Sequence, residues 1–115
     1  MQDKSQLDLI ISLFSNGKVQ EALDQIDSII KDKPNDAILF NIMGACYAHI
    51  WEPIMAIKQY EKAVEIDPNY SEAYSNLGIT LQELGELEKA IENFEKAFSL
   101  KPEKIENANA IGSIL

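Results

Sequence analysis

Three prolines, Pro34, Pro68 and Pro102, lie 34 residues apart, and residues of similar size recur at the same interval throughout the chain. A unit of this length, if built from two short helices, cannot bury its apolar face alone, so consecutive units must stack into a solenoid. Solenoids present an extended surface, which predicts a binding function. The matching registers hold small or large apolar residues, namely Ala22, Ala56 and Ala90; Gly44, Gly78 and Gly112; and Leu9, Met43, Leu77 and Ile111.

Apolar residues within each unit follow helical spacing, as at Ala56, Tyr60 and Ala63, so each unit is predicted to be helix, turn, helix. Each proline closes a second helix because it cannot continue the hydrogen-bond ladder. After the second proline, Asn69 is expected to cap the next helix, with Glu72 completing a capping box. The expected helices span residues 4–15, 18–32, 36–49, 53–66, 70–84, 87–100 and 104–114.

The turns inside the units carry Gly17 and Gly85, where a positive φ costs glycine little. The middle unit instead places Trp51 in this register. A tryptophan in such a turn either folds back over the neighbouring unit or stays exposed as a contact anchor, and folding back is the favoured interpretation.

Glycines in the first helices, Gly44 and Gly78, are expected to let the paired helices approach closely beside Tyr60 and Phe94. The first unit has Ile10 in this register. Its helix crossing is therefore expected to be slightly wider.

The pattern resembles the tetratricopeptide repeat from about Asp3 to the end of the chain. The resemblance implies an all-α, right-handed solenoid of antiparallel helix pairs, with first helices lining a concave groove and second helices on the convex side. It divides a single domain, residues 1–115, into repeats at about 3–36, 37–70 and 71–104 and a partial repeat at 105–115. The residues that carry the resemblance are Tyr74, Ser75, Asn76, Leu77 and Gly78, then Leu81, Gly85, Ala90, Phe94, Ala97 and Pro102.

The family implies an adaptor or scaffold for protein–protein interaction, with a peptide or partner helix in the concave groove. The segment 71–78 is also similar to repeats of the O-GlcNAc transferase class and of bacterial multidomain proteins. A substrate-presenting or assembly arm of a larger transferase is therefore an alternative. Catalysis is not expected, because the sole histidine, His49, lacks a second metal ligand at helical spacing and a nearby nucleophile. No metal or cofactor is expected either.

Asparagines in the predicted groove, Asn41 and Asn76, either hydrogen-bond a peptide backbone or are solvated without a ligand. One subclass of the family grips a C-terminal carboxylate with lysine, arginine and two asparagines. The comparable positions, among them Ile42, Glu72 and Asn76, supply no cation, so carboxylate clamping is not expected. The candidate peptide-binding residues are Asn41, Ala45, His49, Glu72, Asn76, Ile79 and Glu83.

Ten basic and nineteen acidic residues give a formal net charge of −9, which opposes binding to nucleic acid or to anionic membranes. A protein or peptide partner is therefore expected to be neutral or basic. The lone Cys46, and the absence of an apolar signal region or membrane-length apolar stretch from the sequence, favour a cytoplasmic location.

The last residues begin a fourth unit and stop before its second helix, which suggests an N-terminal fragment of a longer protein. Ile111, Ile114 and Leu115 would then leave apolar surface uncovered. These three residues are candidates for self-association, for example by exchange of the terminal helix between two copies.

Overall fold

The apolar spacing produces six α-helices within residues 2–103, the part of the chain that the computed structural model describes. Side chains are described from Ser5 onward. The helix ends agree with the expected ends to within two residues. The expected helix at 104–114, and with it the partial repeat, lies outside the described residues. The helices are α1 (Gln2–Ser15), α2 (Val19–Ile30), α3 (Ala37–His49), α4 (Pro53–Ile66), α5 (Ser71–Glu83) and α6 (Leu87–Leu100).

Successive helices pack as antiparallel pairs, α1 with α2, α3 with α4 and α5 with α6, and each pair also packs on the next. The result is an all-α solenoid. Pro34, Pro68 and Pro102 follow the ends of α2, α4 and α6, as expected for residues that cannot extend a helix. The pairs bury the alanines of the repeat register completely, namely Ala22, Ala56 and Ala90.

The middle and last pairs depend on a glycine that faces an aromatic ring. A Cβ atom on Gly44 would lie 2.5 Å from the Tyr60 ring, and one on Gly78 would lie 2.7 Å from the Phe94 ring. Both rings are buried. The predicted close approach of paired helices at Gly44 and Gly78 is therefore confirmed.

The first pair is built differently, because Ile10 stands in the glycine register and is 1% exposed. Its neighbour Leu9 is 47% exposed, whereas Met43 and Leu77 in the same register are buried. The expectation that Leu9 repeats their role was wrong. Ile10 shares its core cluster with Ile26, which stands where the other units have an aromatic ring. The first pair thus has a larger residue in the glycine register and a smaller one in the aromatic register. The wider crossing of this pair stays a prediction.

The helix starts use different caps in successive repeats. Asp36 caps α3, since its carboxylate accepts hydrogen bonds from the backbone N–H groups of Ile38 at 3.0 Å and Leu39 at 3.3 Å. The expected Asn69 cap and Glu72 capping box were wrong, because α5 begins at Ser71 after Tyr70 with no side-chain cap.

The turn that precedes α5 is organised by Asp67 instead of Asn69. The Asp67 carboxylate accepts a hydrogen bond from the Asn69 backbone N–H at 3.1 Å, which holds the chain in a local turn after Pro68. The start of α5 is then fastened to the end of α6, because the buried Ser71 Oγ donates to the Ala97 carbonyl at 3.1 Å.

Within the helix pairs, the three turns share one backbone conformation. Gly17 and Gly85 both have φ of 80°, and Trp51 in the same register has φ of 61°. The left-handed conformation costs an ordinary L-residue roughly 1–2 kcal/mol, a cost that glycine avoids. The Trp51 side chain is 78% exposed, so the expectation that it folds back over the neighbouring unit was wrong.

Candidate binding groove

The concave side of the solenoid carries two adjoining cavities, of about 350 Å³ and 270 Å³, lined mainly by side chains of α1, α3 and α5. Phe14, Ala45 and Asn76 line both cavities, so together they form one groove, which we call the concave groove. All seven candidate residues from the sequence line it. In the first cavity these are Asn41, Ala45, Glu72 and Asn76, and in the second Ala45, His49, Asn76, Ile79 and Glu83.

The two asparagines form a hydrogen-bonded chain across neighbouring repeats. Asn76 Nδ2 donates to Asn41 Oδ1 at 3.0 Å, and Asn41 Nδ2 donates to the Tyr70 hydroxyl at 3.3 Å. Asn41 is only 7% exposed, so it is not a solvated residue. Asn41 therefore links α3 to α5 and to the turn before α5, while the half-buried Asn76 faces the groove.

The backbone beneath the groove is also fixed by a side chain. The buried Thr80 hydroxyl donates to the Asn76 carbonyl at 3.0 Å, within α5.

Burial raises the pKa of the Tyr70 hydroxyl, and the nearby Glu72 carboxylate raises it further, which outweighs the lowering by the Asn41 hydrogen bond. The Tyr70 hydroxyl thus keeps its proton and accepts the Asn41 hydrogen bond as a neutral phenol.

Sequence reasoning missed an aromatic residue of the groove wall. Phe14 lines both cavities, and its ring centroid lies 5.7 Å from that of His49 in a tilted arrangement. This contact connects the end of α1 to the end of α3. Phe14 follows the groove residue Ile11 by one helical turn, and that spacing could have identified it.

The charge of the groove is acidic over the part of the chain that the structure describes. Glu72 and Glu83 line it, and none of its described lining residues is a lysine or an arginine. Ile11 and Ile79 are each about half exposed and provide apolar contact area between the acids. The groove therefore offers apolar contacts and negative charge.

No group of three histidine, cysteine or acidic side chains within residues 2–103 is arranged to hold a metal ion. None of the six described helices is long and apolar enough to cross a membrane.

Two family models, both described as tetratricopeptide repeat, match residues 59–92 and 43–70. Their matches overlap and together span residues 43–92, from within α3 to within α6, where the glycine and aromatic registers are complete. Residues 43–92 are therefore tetratricopeptide repeat sequence. No curated protein sequence matches it significantly.

Solved structures with the same fold include two tetratricopeptide domains and MamA. The first domain of Spaghetti (RPAP3), bound to the HSP90 peptide SRMEEVD, has a TM-score of 0.90 at 24% identity, covering 96% of this chain and 87% of that one. The second domain of human RPAP3, in complex with the HSP70 peptide SGPTIEEVD, has a TM-score of 0.89 at 26% identity, covering 99% and 95%. MamA has a TM-score of 0.90 at 28% identity, covering 96% and 65%.

Proposed function

We propose that this tetratricopeptide domain is a protein-interaction module whose concave groove binds an extended, neutral or basic peptide segment. The observation that carries the proposal is the continuous groove through Phe14, Ala45 and Asn76, which combines apolar walls with acidic side chains. The two similar RPAP3 domains were solved with peptides, which supports peptide binding as the mode of action.

The charge of the groove favours a different class of peptide from those two. SRMEEVD and SGPTIEEVD are acidic peptides. Here Glu72 and Glu83 line the groove, and the whole chain has a net charge of −9. An acidic peptide would therefore meet like charge, whereas a lysine or arginine side chain would gain favourable contacts.

The Asn41–Asn76 hydrogen bond supplies the polar contact of the proposed site. It uses one donor of the Asn76 amide group, and the structure gives Asn76 Oδ1 no hydrogen-bond partner within residues 2–103. Asn76 Oδ1 can thus accept a hydrogen bond from the backbone N–H of a bound peptide without reading its side chains. Ile11, Phe14 and Ile79 would contact apolar side chains on either side.

Heptapeptide libraries of net charge +2, 0 and −2, with SRMEEVD as a further acidic probe, test the proposal. Peptides of this length do not hold a stable helix, so they sample extended binding. Fluorescence anisotropy of labelled peptides should show the tightest binding in the basic or neutral library, and at least tenfold weaker binding of SRMEEVD. Tighter binding of SRMEEVD than of either library would contradict the proposed charge preference.

Two variants locate the binding surface. Ala45→Arg fills the centre of the groove at its half-buried wall and should weaken the selected peptide at least tenfold. Glu95→Lys, on the exposed surface of α6, adds positive charge outside the groove and should change affinity less than twofold. Circular dichroism and melting curves verify that both variants fold. Equal weakening by the two variants would place binding elsewhere.

A further inference from the structure

A separate cavity, of about 500 Å³, lies between the second helices α4 and α6, with α5 as its floor. We call it the convex groove. None of the candidate residues of the concave groove lines it. Its walls and floor are largely apolar, with Ile54, Ile57, Val64, Leu77, Leu81 and Leu84 contributing side chains.

The turn at Trp51 lies just before α4, one wall of the convex groove. Trp51 precedes the first turn of α4, where Ile54 lines the convex groove and is 60% exposed. In the next repeat the equivalent residue, Gly85, lies between Leu84 and Glu86, which both line the same groove. Trp51 itself does not line the cavity, but stacked repeats bring equivalent turns side by side, which puts the Trp51 turn at the same end of the groove as Leu84 and Glu86.

The conformation of Trp51 indicates a role outside folding. Its register carries glycine in the other two repeats, and its positive φ is unfavourable for a large side chain. Burial of the side chain does not offset the cost of this backbone conformation, because the side chain is 78% exposed. A strained and exposed tryptophan is a residue type suited to anchoring a partner protein.

Charge identifies the kind of partner that fits the convex groove. Glu61, Glu86 and Glu92 line it, against a single lysine, Lys89. A second copy of this chain would bring another net charge of −9, which disfavours self-association at this surface. A partner with lysine or arginine beside its apolar residues would complement both the apolar lining and the glutamates of the groove.

The geometry of α4 suggests the form of that partner. Ile54, Ile57 and Val64 lie along one face of the helix and span eleven residues, a length of about 15 Å at the rise of an α-helix. An apolar stripe of this length between α4 and α6 accommodates about three turns of an amphipathic helix. An apolar stripe on the partner would enter the groove while its basic flanks meet the glutamates.

We propose that the convex groove and the Trp51 turn together bind a basic amphipathic helix of a partner protein, independently of the concave groove. This second surface would let one chain hold an extended peptide on one side and a helix on the other. The proposal does not depend on peptide binding in the concave groove, since no residue is shared between the two sites.

Fifteen-residue designed peptides are suitable probes for this surface. The first has a leucine stripe at helical spacing flanked by lysines, the second replaces the lysines by glutamates, and the third is a scrambled form of the first without a stripe. Trp51 is the sole tryptophan of the chain, so its fluorescence reports directly on this site. The leucine–lysine peptide should shift its emission to shorter wavelength, and should bind at least tenfold more tightly than the other two peptides.

Variants separate docking at this surface from other binding. Trp51→Gly, which restores the residue of the other repeats, and the pair Glu61→Lys with Glu92→Lys should each weaken the leucine–lysine peptide at least tenfold by anisotropy. Trp51→Phe should retain most of the affinity. Ala45→Arg in the concave groove and Glu95→Lys on α6 should change it less than twofold, so failure of one site does not imply failure of the other.

Three outcomes would overturn the proposal. The first is unchanged binding in Trp51→Gly, measured with melting curves that show it folded. The second is equal affinity for the scrambled or the glutamate peptide. The third is a dimer in sedimentation experiments that Trp51→Gly disrupts, which would assign the surface to a second copy of the chain.

Discussion

At the residue scale, Trp51 is the position where the requirements of the fold and the observed side chain disagree most clearly. Gly17, Trp51 and Gly85 occupy one register and one left-handed conformation, but only tryptophan has a Cβ atom there. The sequence register identified this residue as exceptional. Its exposure could not be read from the sequence, because burial of a turn side chain depends on how neighbouring repeats stack.

Replacing Trp51 by glycine should stabilise the domain by about 1 kcal/mol, because glycine adopts a positive φ without the steric cost of a Cβ atom. Urea unfolding of Trp51→Gly and of the wild type measures the change. Gly85→Ala is the matched control, since its added methyl group would meet open space and only the backbone conformation would suffer. That variant should lose about 1 kcal/mol. A destabilised Trp51→Gly would contradict the assignment of strain.

Cys46 should make the domain less stable in alkali. Burial raises the pKa of its thiol from 9.0 to about 11. A pKa that is higher in the folded state stabilises the fold fully below pH 9, and this contribution is lost as the pH rises toward 11. At about 1.4 kcal/mol per pKa unit, the loss is at most about 3 kcal/mol. Urea unfolding measures the decrease in the free energy of unfolding between pH 8 and pH 10.5, which should be smaller for Cys46→Ala than for the wild type. Equal decreases in the two proteins would contradict a role for the Cys46 thiol.

At the element scale, each helix pair solves the same packing problem with a different pair of residues. Gly44 faces Tyr60 and Gly78 faces Phe94, whereas the first pair has Ile10 and Ile26 in these registers. The periodicity of the sequence predicted the glycine contacts. It did not predict the exposure of Leu9, because a register copied from the other repeats ignores the way a bulky Ile10 changes which face of α1 is buried.

Gly78→Ala should destabilise the last pair by about 1–3 kcal/mol, because its new Cβ atom would lie 2.7 Å from the Phe94 ring. Phe94→Leu should also lower the free energy of unfolding, because the smaller side chain leaves a cavity. When Phe94→Leu is already present, adding Gly78→Ala should change the free energy of unfolding little, because leucine leaves space for the new methyl group. A double-mutant cycle measures this coupling. Strict additivity of the two free-energy changes would show that the ring does not exclude the methyl group.

The helix caps mark another limit of local sequence reasoning. Asn69 and Glu72 have residue types suited to a capping box, but α5 begins at Ser71, which places both residues out of position. Tyr70 occupies the cap position and uses its hydroxyl to accept a hydrogen bond from Asn41 of α3. A tertiary contact thus occurs where the sequence suggested a local one.

At the scale of the whole molecule, the solenoid separates an acidic concave groove from an acidic convex groove. All seven groove residues suggested by the repeat register line the concave side. The register could place them because the faces of each helix repeat with the fold. The Asn76–Asn41–Tyr70 chain and the Phe14–His49 contact join residues from different helix pairs, and a repeat pattern carries no information about such contacts.

Self-association through the end of the chain stays a prediction, because Ile111, Ile114 and Leu115 lie outside the described residues. Light scattering on residues 1–115 and on a form that ends at residue 104 tests it. A concentration-dependent dimer only in the longer form would support exchange or packing of the terminal segment. Two monomeric forms at high concentration would contradict it.

The central claim, that the concave groove binds a neutral or basic peptide, is tested most directly by amide chemical-shift mapping. The protein is labelled with ¹⁵N and titrated with the tightest heptapeptide from the charge libraries. The largest shifts should fall on α1, α3 and α5, at Phe14, Ala45, Asn76 and Ile79. Shifts confined to α2, α4 and α6, or the selection of an acidic peptide as the tightest ligand, would contradict the claim.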